Sequence, residues 1–405
     1  MSYLGRKGAS AALTSADIPD NSITGAKIVA GTIEASDVAA DMATQAEIDL
    51  KANIASPTFT GVATAPSLVL TPGSAPGDPA EGEIYYNSTT NMVTLYNGDR
   101  WVQLHGSLGG VITTYTVGGT DYIVHTFTSS GTFVVSGGSL TCDILVVAGG
   151  GSGGHIYCSG GGGGGGMCVT GSSYPVLDVG TYTITVGAGG ARPTTAPTTA
   201  RGNNGADSYF ANGSGTYEIR SKGGGGGGRY RYDTEGAGRD GGSGGGAHVS
   251  AANMLTSFAG GISNQTLYAD SYALEYGNSG GAGGINSPDG YHAAGAGGGA
   301  GGVGETGHND GHGTIGGIGF QNLFQTGSNI YYGAGGGGGG GISGNIGVGG
   351  NTGTASAGGS SGDADGTNGG DGAINYGAGG GGSGQSATSY AGLGGSGIVI
   401  IRYAI

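Results

Sequence analysis

Residues 160–166 are seven glycines in succession, and similar runs recur at Gly223–Gly228, Gly335–Gly341 and Gly379–Gly382. Each glycine inside an α-helix costs about 1 kcal/mol relative to alanine, so such runs do not form stable helices. Glycine also weakens the interior of a β-strand. The regular geometry that remains is of the polyproline II type, with roughly three residues per turn and no internal hydrogen bonds. There the missing Cβ lets neighbouring segments approach closely. Backbone N–H and C=O groups then pair between segments, as buried backbone requires. The opposing interpretation is an array of flexible glycine linkers. Linkers of that kind are commonly cut with serine, whereas these runs alternate with inserts bearing Tyr and Asn. The expectation is a packed bundle.

The rest of the composition narrows the class. Of 103 glycines, 17 fall in residues 1–148 and 86 in 149–405, so the chain changes character near residue 148. With only 10 prolines and no Gly-X-Y period, collagen is excluded. The 22 tyrosines, with many Val, Ile and Thr, oppose ordinary disorder. A net charge of −14 argues against nucleic acid as a partner. Cys142, Cys158 and Cys168 are an odd set without a disulfide pattern. The first residues lack the apolar core of a secretory leader, and no stretch has the length of a membrane span. A protein made in a cytosol is expected, which leaves later work outside that cell open.

The N-terminal part reads as several pieces. Ile18, Ile23, Ile28, Ile33 and Val38 recur every five positions, a period of neither helix nor strand. It fits an extended coil whose apolar line is buried against copies of itself. Residues 40–55 fit one short helix ended by Pro57, and Pro72, Gly73, Pro76, Gly77 and Pro79 mark a linker. Strong alternation over 82–104 predicts a β-meander, with strands near Ile84–Tyr86, Met92–Tyr96 and Trp101–Leu104. The organisation expected is virion attachment over 1–15, a pentad stalk and linker over 16–80, the meander over 81–110, and a glycine-rich receptor-binding domain over 111–405.

The stretches DYIVHTFTSSGTFVV, CDILVVAGGGSGG, GTYTITVGAGG, YGAGGGGGG and GGSGIVIIRY, spanning about 121–403, resemble the glycine-rich domain of bacteriophage tail fibres and adhesins. LKANIASPTFTG is similar to a recurring fibre repeat, and the 82–104 segment resembles a small fibre hairpin module. A glycine-rich fold of related type in the anaplastic lymphoma kinase ectodomain is a poorer match, because that chain is disulfide-bearing. The phage resemblance implies a mainly β fold with polyglycine II helices, as an elongated fibrous stalk and a β/polyglycine-sandwich C-terminal domain. It further implies loops between the glycine motifs that contact the host. This chain departs from separate tip adhesins by carrying its own stalk, which implies a homotrimeric fibre. The expected partners are copies of itself, a tail hub or baseplate protein at the N-terminus, and a host polysaccharide or outer-membrane protein. The location that follows is the virion.

On such a scaffold the inserts carry recognition. They are Ala191–Arg201, Arg229–Asp240, Ile262–Asn278, Ile285–His292 and Ile318–Tyr332. Tyrosine gives rigid contact area at low entropic cost. The contact candidates are Arg229, Tyr230, Arg231, Tyr232, Tyr268, Tyr272, Tyr276, Tyr291, Phe320, Phe324, Tyr331 and Tyr332. Five of the eight cations after residue 110 lie in 220–239, a cluster suited to phosphate or carboxylate. Its alternative is pairing with Asp233, Glu235 and Asp240. The tyrosine pairs Tyr268/Tyr272 and Tyr331/Tyr332 have capping of the bundle as their alternative.

Metal and cofactor signals are weak. His308, Asp310 and His312 sit close together without a second ligand cluster. Asp363, Asp365 and Asp371 lack the glycine and terminal Glu of a calcium loop. His155, Cys158 and Cys168 are too loosely spaced for zinc. No GK[ST] follows a glycine run, so nucleotide binding is not expected. No cofactor and no enzymatic activity are expected. The competing classes are a fibre-borne polysaccharide depolymerase, which needs a carboxylate pair, and a purely structural fibre or decoration protein.

Overall fold

The computed structural model describes residues 69–88, 92–96, 98–99, 101–103 and 109–405, except 137, 171–175, 194–199, 214–217, 231–233, 250–256, 266–272, 286–291, 342–345, 352–353, 355, 362–366 and 387. The chain divides into two compact units, Met1–Val69 and Leu70–Ile405. The segment expected to attach to the virion, the pentad line, the helix expected over 40–55 and the piece similar to a fibre repeat lie outside the described residues.

The described chain is mainly β. Its strands are β1 (Pro72–Gly73), β2 (Ile84–Asn87), β3 (Met92–Tyr96), β4 (Trp101–Gln103), β5 (Val111–Val117), β6 (Thr120–Phe127), β7 (Gly131–Val135), β8 (Leu140–Thr141) and β9 (Asp143–Val147). They continue as β10 (Met167–Thr170), β11 (Val176–Leu177), β12 (Gly180–Thr185), β13 (Ser208–Asn212), β14 (Glu218–Ser221), β15 (Ala273–Tyr276), β16 (Phe320–Asn322), β17 (Ile330–Tyr332) and β18 (Ile398–Ala404). Among the described residues the sole helical element is a single 3-10 turn, Thr234–Gly236.

β2, β3 and β4 form the meander, joined by β1 in parallel. Trp101 holds it together, edge-on to Tyr85 at 4.6 Å and tilted against Tyr96 at 5.3 Å.

Two sheets form the apolar centre of the glycine-rich part. One has six strands in the order β15-β10-β9-β18-β6-β5, and the other has four in the order β14-β13-β12-β7. Alternating side chains of both meet in one core that includes Phe133, Ile144, Val146, Ile184, Phe210, Val399 and Ile401. Burying each such side chain contributes roughly 1.5–3 kcal/mol. The opposite face of the six-stranded sheet is also covered. There Val124, Leu145, Val147, Met167, Ile398 and Ile400 pack under Phe324 and Tyr332. Both faces of β9 and β18 are therefore apolar, and the sequence reads DILVV and IVIIRYA without alternation. The last strand of the chain pairs with β9 on one side and β6 on the other.

The glycine runs continue from these strand ends. Run 149–154 leaves β9, 160–166 enters β10, 202–206 enters β13 and 223–228 leaves β14. Run 160–166 lies among the others. The N–H groups of Gly160 to Gly166 donate in turn to Gly228, Gly295, Gly380, Gly225, Gly298, Gly377 and Lys222, at 2.7–3.2 Å. Residues 160, 163 and 166 thus address one neighbouring segment, 161 and 164 a second, and 162 and 165 a third. Their carbonyls follow the same rule. Gly160 and Gly163 accept from Gly154 and Gly151, Gly161 and Gly164 accept from Gly246 and Ser243, and Gly162 accepts from Gly336. Six segments therefore surround one run, and five of them bond to it again at every third residue. A strand bonds to two neighbours in one plane with side chains at period two, and an α-helix bonds within itself. Neither produces this pattern.

Glycine serves here for its size and not for its φ freedom. None of residues 160–166 or 223–228 has a positive φ. A Cβ on Gly161, however, would lie closer than 3.0 Å to the carbonyl of Gly336, and one on Gly162 as close to that of Gly151. The same contact recurs at most glycines of the array, so no side chain fits at those positions.

Backbone register sorts the inserts into two ends. At the end away from the sheets, Gly154 bonds to Gly160, Gly202 to Gly227, His248 to Gly236, Ala293 to His308, and Gly341 to Gly311. These pairs bring the described residues 155–158, 192–193, 200–201, 229–230, 234–235, 249, 257–258, 285, 292 and 309–313 to one loop end. The described residues 262–265, 273–278 and 318–332 instead return to the strand end. There Gly244 bonds to Asn278 and Gly301 to Ile318.

Candidate functional site

Several inserts meet at the loop end. Its described centre is the reversal between runs 149–154 and 160–166. Ile156, Tyr157 and Cys158 all take left-handed φ, at 69°, 51° and 53°. Such values are disfavoured for non-glycine residues, most of all for β-branched Ile. The surroundings fix them. The Cys158 N–H donates to Gly384 O at 3.2 Å, and its thiol donates to Gly340 O at 3.2 Å. His248 Nε2 lies 2.6 Å from Tyr157 O.

Aromatic rings line this reversal on both sides. Tyr157 meets Tyr230 at 5.0 Å, and Tyr230 meets the His248 ring edge-on at 5.3 Å. On the other side His155 meets Tyr390 at 5.6 Å. His155 and His248 are buried, whereas Tyr157 is 38% and Tyr390 48% exposed. Ser386 and Thr388, bonded to each other at 3.1 Å, present hydroxyls at the surface beside Tyr390.

Burial pushes the His248 imidazole down to about 4, against the opposing pull of the Tyr157 and Val249 carbonyls. The unfolded chain takes up this proton near pH 6.5. Above that pH both states are neutral and full stability is present. Stability is lost as pH falls from about 6.5 towards 4. Burial lowers His155 and His125 in the same sense. The His248 share comes to about 3 kcal/mol by pH 4. Urea denaturation at pH 7 and pH 4.5 should show the loss, and His248→Gln should flatten that pH dependence.

The cationic cluster divides. Arg229 is buried and pairs with Glu235. Arg220 pairs with Asp207 at 2.8 Å. Arg201 is half-buried, and its Nε is buried without a hydrogen-bond partner. Burial first, then the Arg239 guanidinium, hold Arg201 below its ordinary range. Asp240 opposes this and Arg229 adds to it. The Asp240 carboxylate accepts the Ile262 N–H at 2.8 Å.

Several sequence candidates prove to be packing residues. Phe324 and Tyr332 are buried at the strand end, where the β16–β17 hairpin covers the six-stranded sheet. Tyr276 and Phe320 stack there at 3.7 Å, and Tyr331 is partly buried in the same hairpin. The reason is physical: that sheet is apolar on both faces and needs an aromatic cover. Arg229 is corrected likewise, as its buried guanidinium pairs with the half-exposed Glu235 carboxylate. Tyr230 alone among the described candidates stands at the loop end as part of the ring cluster. Arg231, Tyr232, Tyr268, Tyr272 and Tyr291 lie outside the described residues. Tyr157, Tyr390 and Arg201 were not singled out from sequence. The signal available for Tyr157 was its place in HIYC, a four-residue reversal between two glycine runs.

The metal candidates find other partners. His308 Nε2 lies 2.9 Å from Glu305, and Asp310 accepts the His312 N–H at 3.1 Å. Asp371 pairs with Arg192 at 3.0 Å. Among the described residues no group of three or more His, Cys, Asp or Glu is arranged to hold a metal ion. The three cysteines are buried and in no disulfide, and burial pushes the Cys158 and Cys168 thiols up to about 12.

At the strand end, Arg402 of β18 lies between the rings of Tyr122 and Phe324, at 4.6 and 4.1 Å. Its Nε donates to Asp143 at 2.8 Å and its NH1 to the Tyr115 hydroxyl at 2.7 Å. A cavity of about 270 Å³ adjoins it, but the guanidinium is already engaged. Arg402→Met leaves the Asp143 carboxylate buried and alone, so it should cost about 3–5 kcal/mol in a urea melt. The double change with Asp143→Asn should recover most of that loss.

Residues 126–404 match the family model described as a glycine-rich domain. That span is well over half of the chain, and the chain belongs to this family. A comparison with curated proteins finds no match.

Proposed function

We propose that this chain is a bacteriophage tail fibre, a virion structural protein that attaches to the host surface through loops on its glycine-rich domain. It binds without catalysing. The observation that carries the reading is the surrounding of run 160–166 by six segments, five of which bond to it again every third residue. That pattern is expected of polyglycine II helices packed side by side. It makes a stiff scaffold whose variable chain is displaced to the ends, which is the arrangement recognition loops need. The resemblance of 121–403 to phage adhesins supplies the virion setting.

Self-association into a homotrimer is part of the proposal. The apolar pentad line of 18–38 supports it, as does the uncharged edge strand β5, whose Val111 and Ile112 are 62% and 50% exposed. Light scattering should give three times the 38.7 kDa chain mass, and a monomer mass would oppose this part. The N-terminus would join a tail hub or baseplate protein.

The test of attachment is adsorption of the purified full chain to a panel of bacterial strains. Binding to some strains is expected, with loss when residues 229–240 are deleted and the domain still melts cooperatively. Adsorption unchanged by that deletion would count against the loop end.

A further inference from the structure

The meander of β1 to β4 has two unlike faces. Directly paired residues of neighbouring antiparallel strands share one side of a sheet, and successive residues alternate. The pairs Ile84–Leu95 and Tyr86–Val93 therefore stand on one face, and Tyr85–Thr94 and Tyr96–Trp101 on the other. The second face closes over itself. Trp101 lies against both Tyr85 and Tyr96, and Thr94 is buried. The first face carries four apolar side chains without such a cover. Ile84 is 40% exposed, and Tyr86, Val93 and Leu95 are each only partly buried.

The module is small for a sheet with an open apolar face. Pro72–Gln103 is shorter than the about 40 residues below which a domain usually needs a disulfide, a metal or association with other chains. The three cysteines lie outside it, and among the described residues no group is arranged to hold a metal ion. Its described backbone bonds stay within it, as when Gly82 N–H donates to Tyr96 O at 2.9 Å and Ser88 N–H to Gly73 O at 3.0 Å.

We infer that the face of Ile84, Tyr86, Val93 and Leu95 is a contact between copies of this chain: three meanders turn these faces towards one another and bury them in a shared core. This deepens the homotrimer part of the reading above and rests on it. The partner follows from charge. Copies of a chain with net charge −14 repel one another, so they meet where charge is missing. The acidic residues of the module stand off this face. Asp78, Glu81 and Asp99 lie in bends and turns, and Glu83 accepts the Ala80 N–H at 3.0 Å. An apolar, uncharged patch is what a permanent interface between like chains carries. In sequence the module falls between the pentad line of 18–38 and edge strand β5, the two features that also favour self-association.

The test uses the full chain, whose parent form should be trimeric by light scattering. Leu95→Asp brings a carboxylate from each copy into the shared core. It should raise the concentration at which half of the trimers dissociate by about a hundredfold or more, while the glycine-rich domain still melts cooperatively. Val93→Cys gives a readout that leaves the face apolar. A bis-maleimide reaching about 10 Å, the spacing of packed sheets, should join its chains covalently. Ile374→Cys, exposed on the glycine-rich part, should stay as single chains under the same treatment. The native cysteines are buried and do not compete. If Leu95→Asp fails to fold, the Val93→Cys crosslink decides alone. A trimeric parent whose Val93→Cys form stays as single chains, or whose folded Leu95→Asp form dissociates no sooner, would overturn the inference. Copies would then meet elsewhere, as along β5, and the homotrimer would stand. A monomeric parent would remove both.

Discussion

Gly163→Ala should destabilise the glycine-rich domain by at least about 3 kcal/mol, the upper part of the range for overpacking a filled interior. A Cβ there would lie closer than 3.0 Å to the carbonyls of Ser243 and Gly244. Backbone is the obstacle, so no side chain can rotate away. The segments on either side would have to part, weakening the bonds of Gly163 N–H to Gly225 O and of Gly151 N–H to Gly163 O, both 2.8 Å. Gly180→Ala is the matched control. Gly180 has an ordinary φ and open space where its Cβ would go, so this change should be neutral or stabilising by up to about 1 kcal/mol. Urea melts of the two variants should differ widely. Equal melts would mean that the run yields freely, as a linker does.

Removal of residues 398–405 should abolish folding of the domain. β18 is the last strand in sequence yet lies between β6 and β9. Ile398, Val399, Ile400, Ile401 and Tyr403 are all buried and divide between the two apolar cores. At roughly 1.5–3 kcal/mol each, these five side chains rival the whole stability of about 5–15 kcal/mol usual for a domain. Ile400→Ala in the full chain should cost about 2–5 kcal/mol. The truncated chain should lose its cooperative melt and be digested rapidly by protease, while a resistant core of undiminished size would contradict this. One consequence is that the two-sheet core closes only after β18 has been made.

Much of the scaffold was legible because its signals are local. The alternation in 82–104 and the β-branched strands from Val111 to Val147 place strands where they form. The runs announce close packing through the absence of Cβ alone. What stayed hidden depends on long-range register. The end at which an insert emerges is fixed by how many residues separate it from partners far along the chain, as when Gly162 bonds to Gly380. Ile318–Tyr332 and Arg229–Asp240 therefore look alike as aromatic inserts, yet the first covers a sheet and the second opens at the loop end. For the same reason Phe324 and Tyr332 read as contact residues and prove to be core. Between His155 and Cys158, Tyr157 carries no pattern of its own that marks it. Its left-handed φ could not be inferred from a chain of L-residues that disfavour it. Arg229 was open to two interpretations in sequence, and Glu235 decides between them.

The most direct measurement is amide hydrogen exchange across residues 148–170. A packed array in which every N–H of Gly160–Gly166 is bonded to another segment predicts exchange in that run as slow as in β9, reached only by opening of the whole domain. Exchange at the rate of a free chain in Gly160–Gly166, with β9 protected, would contradict the account and make the runs linkers.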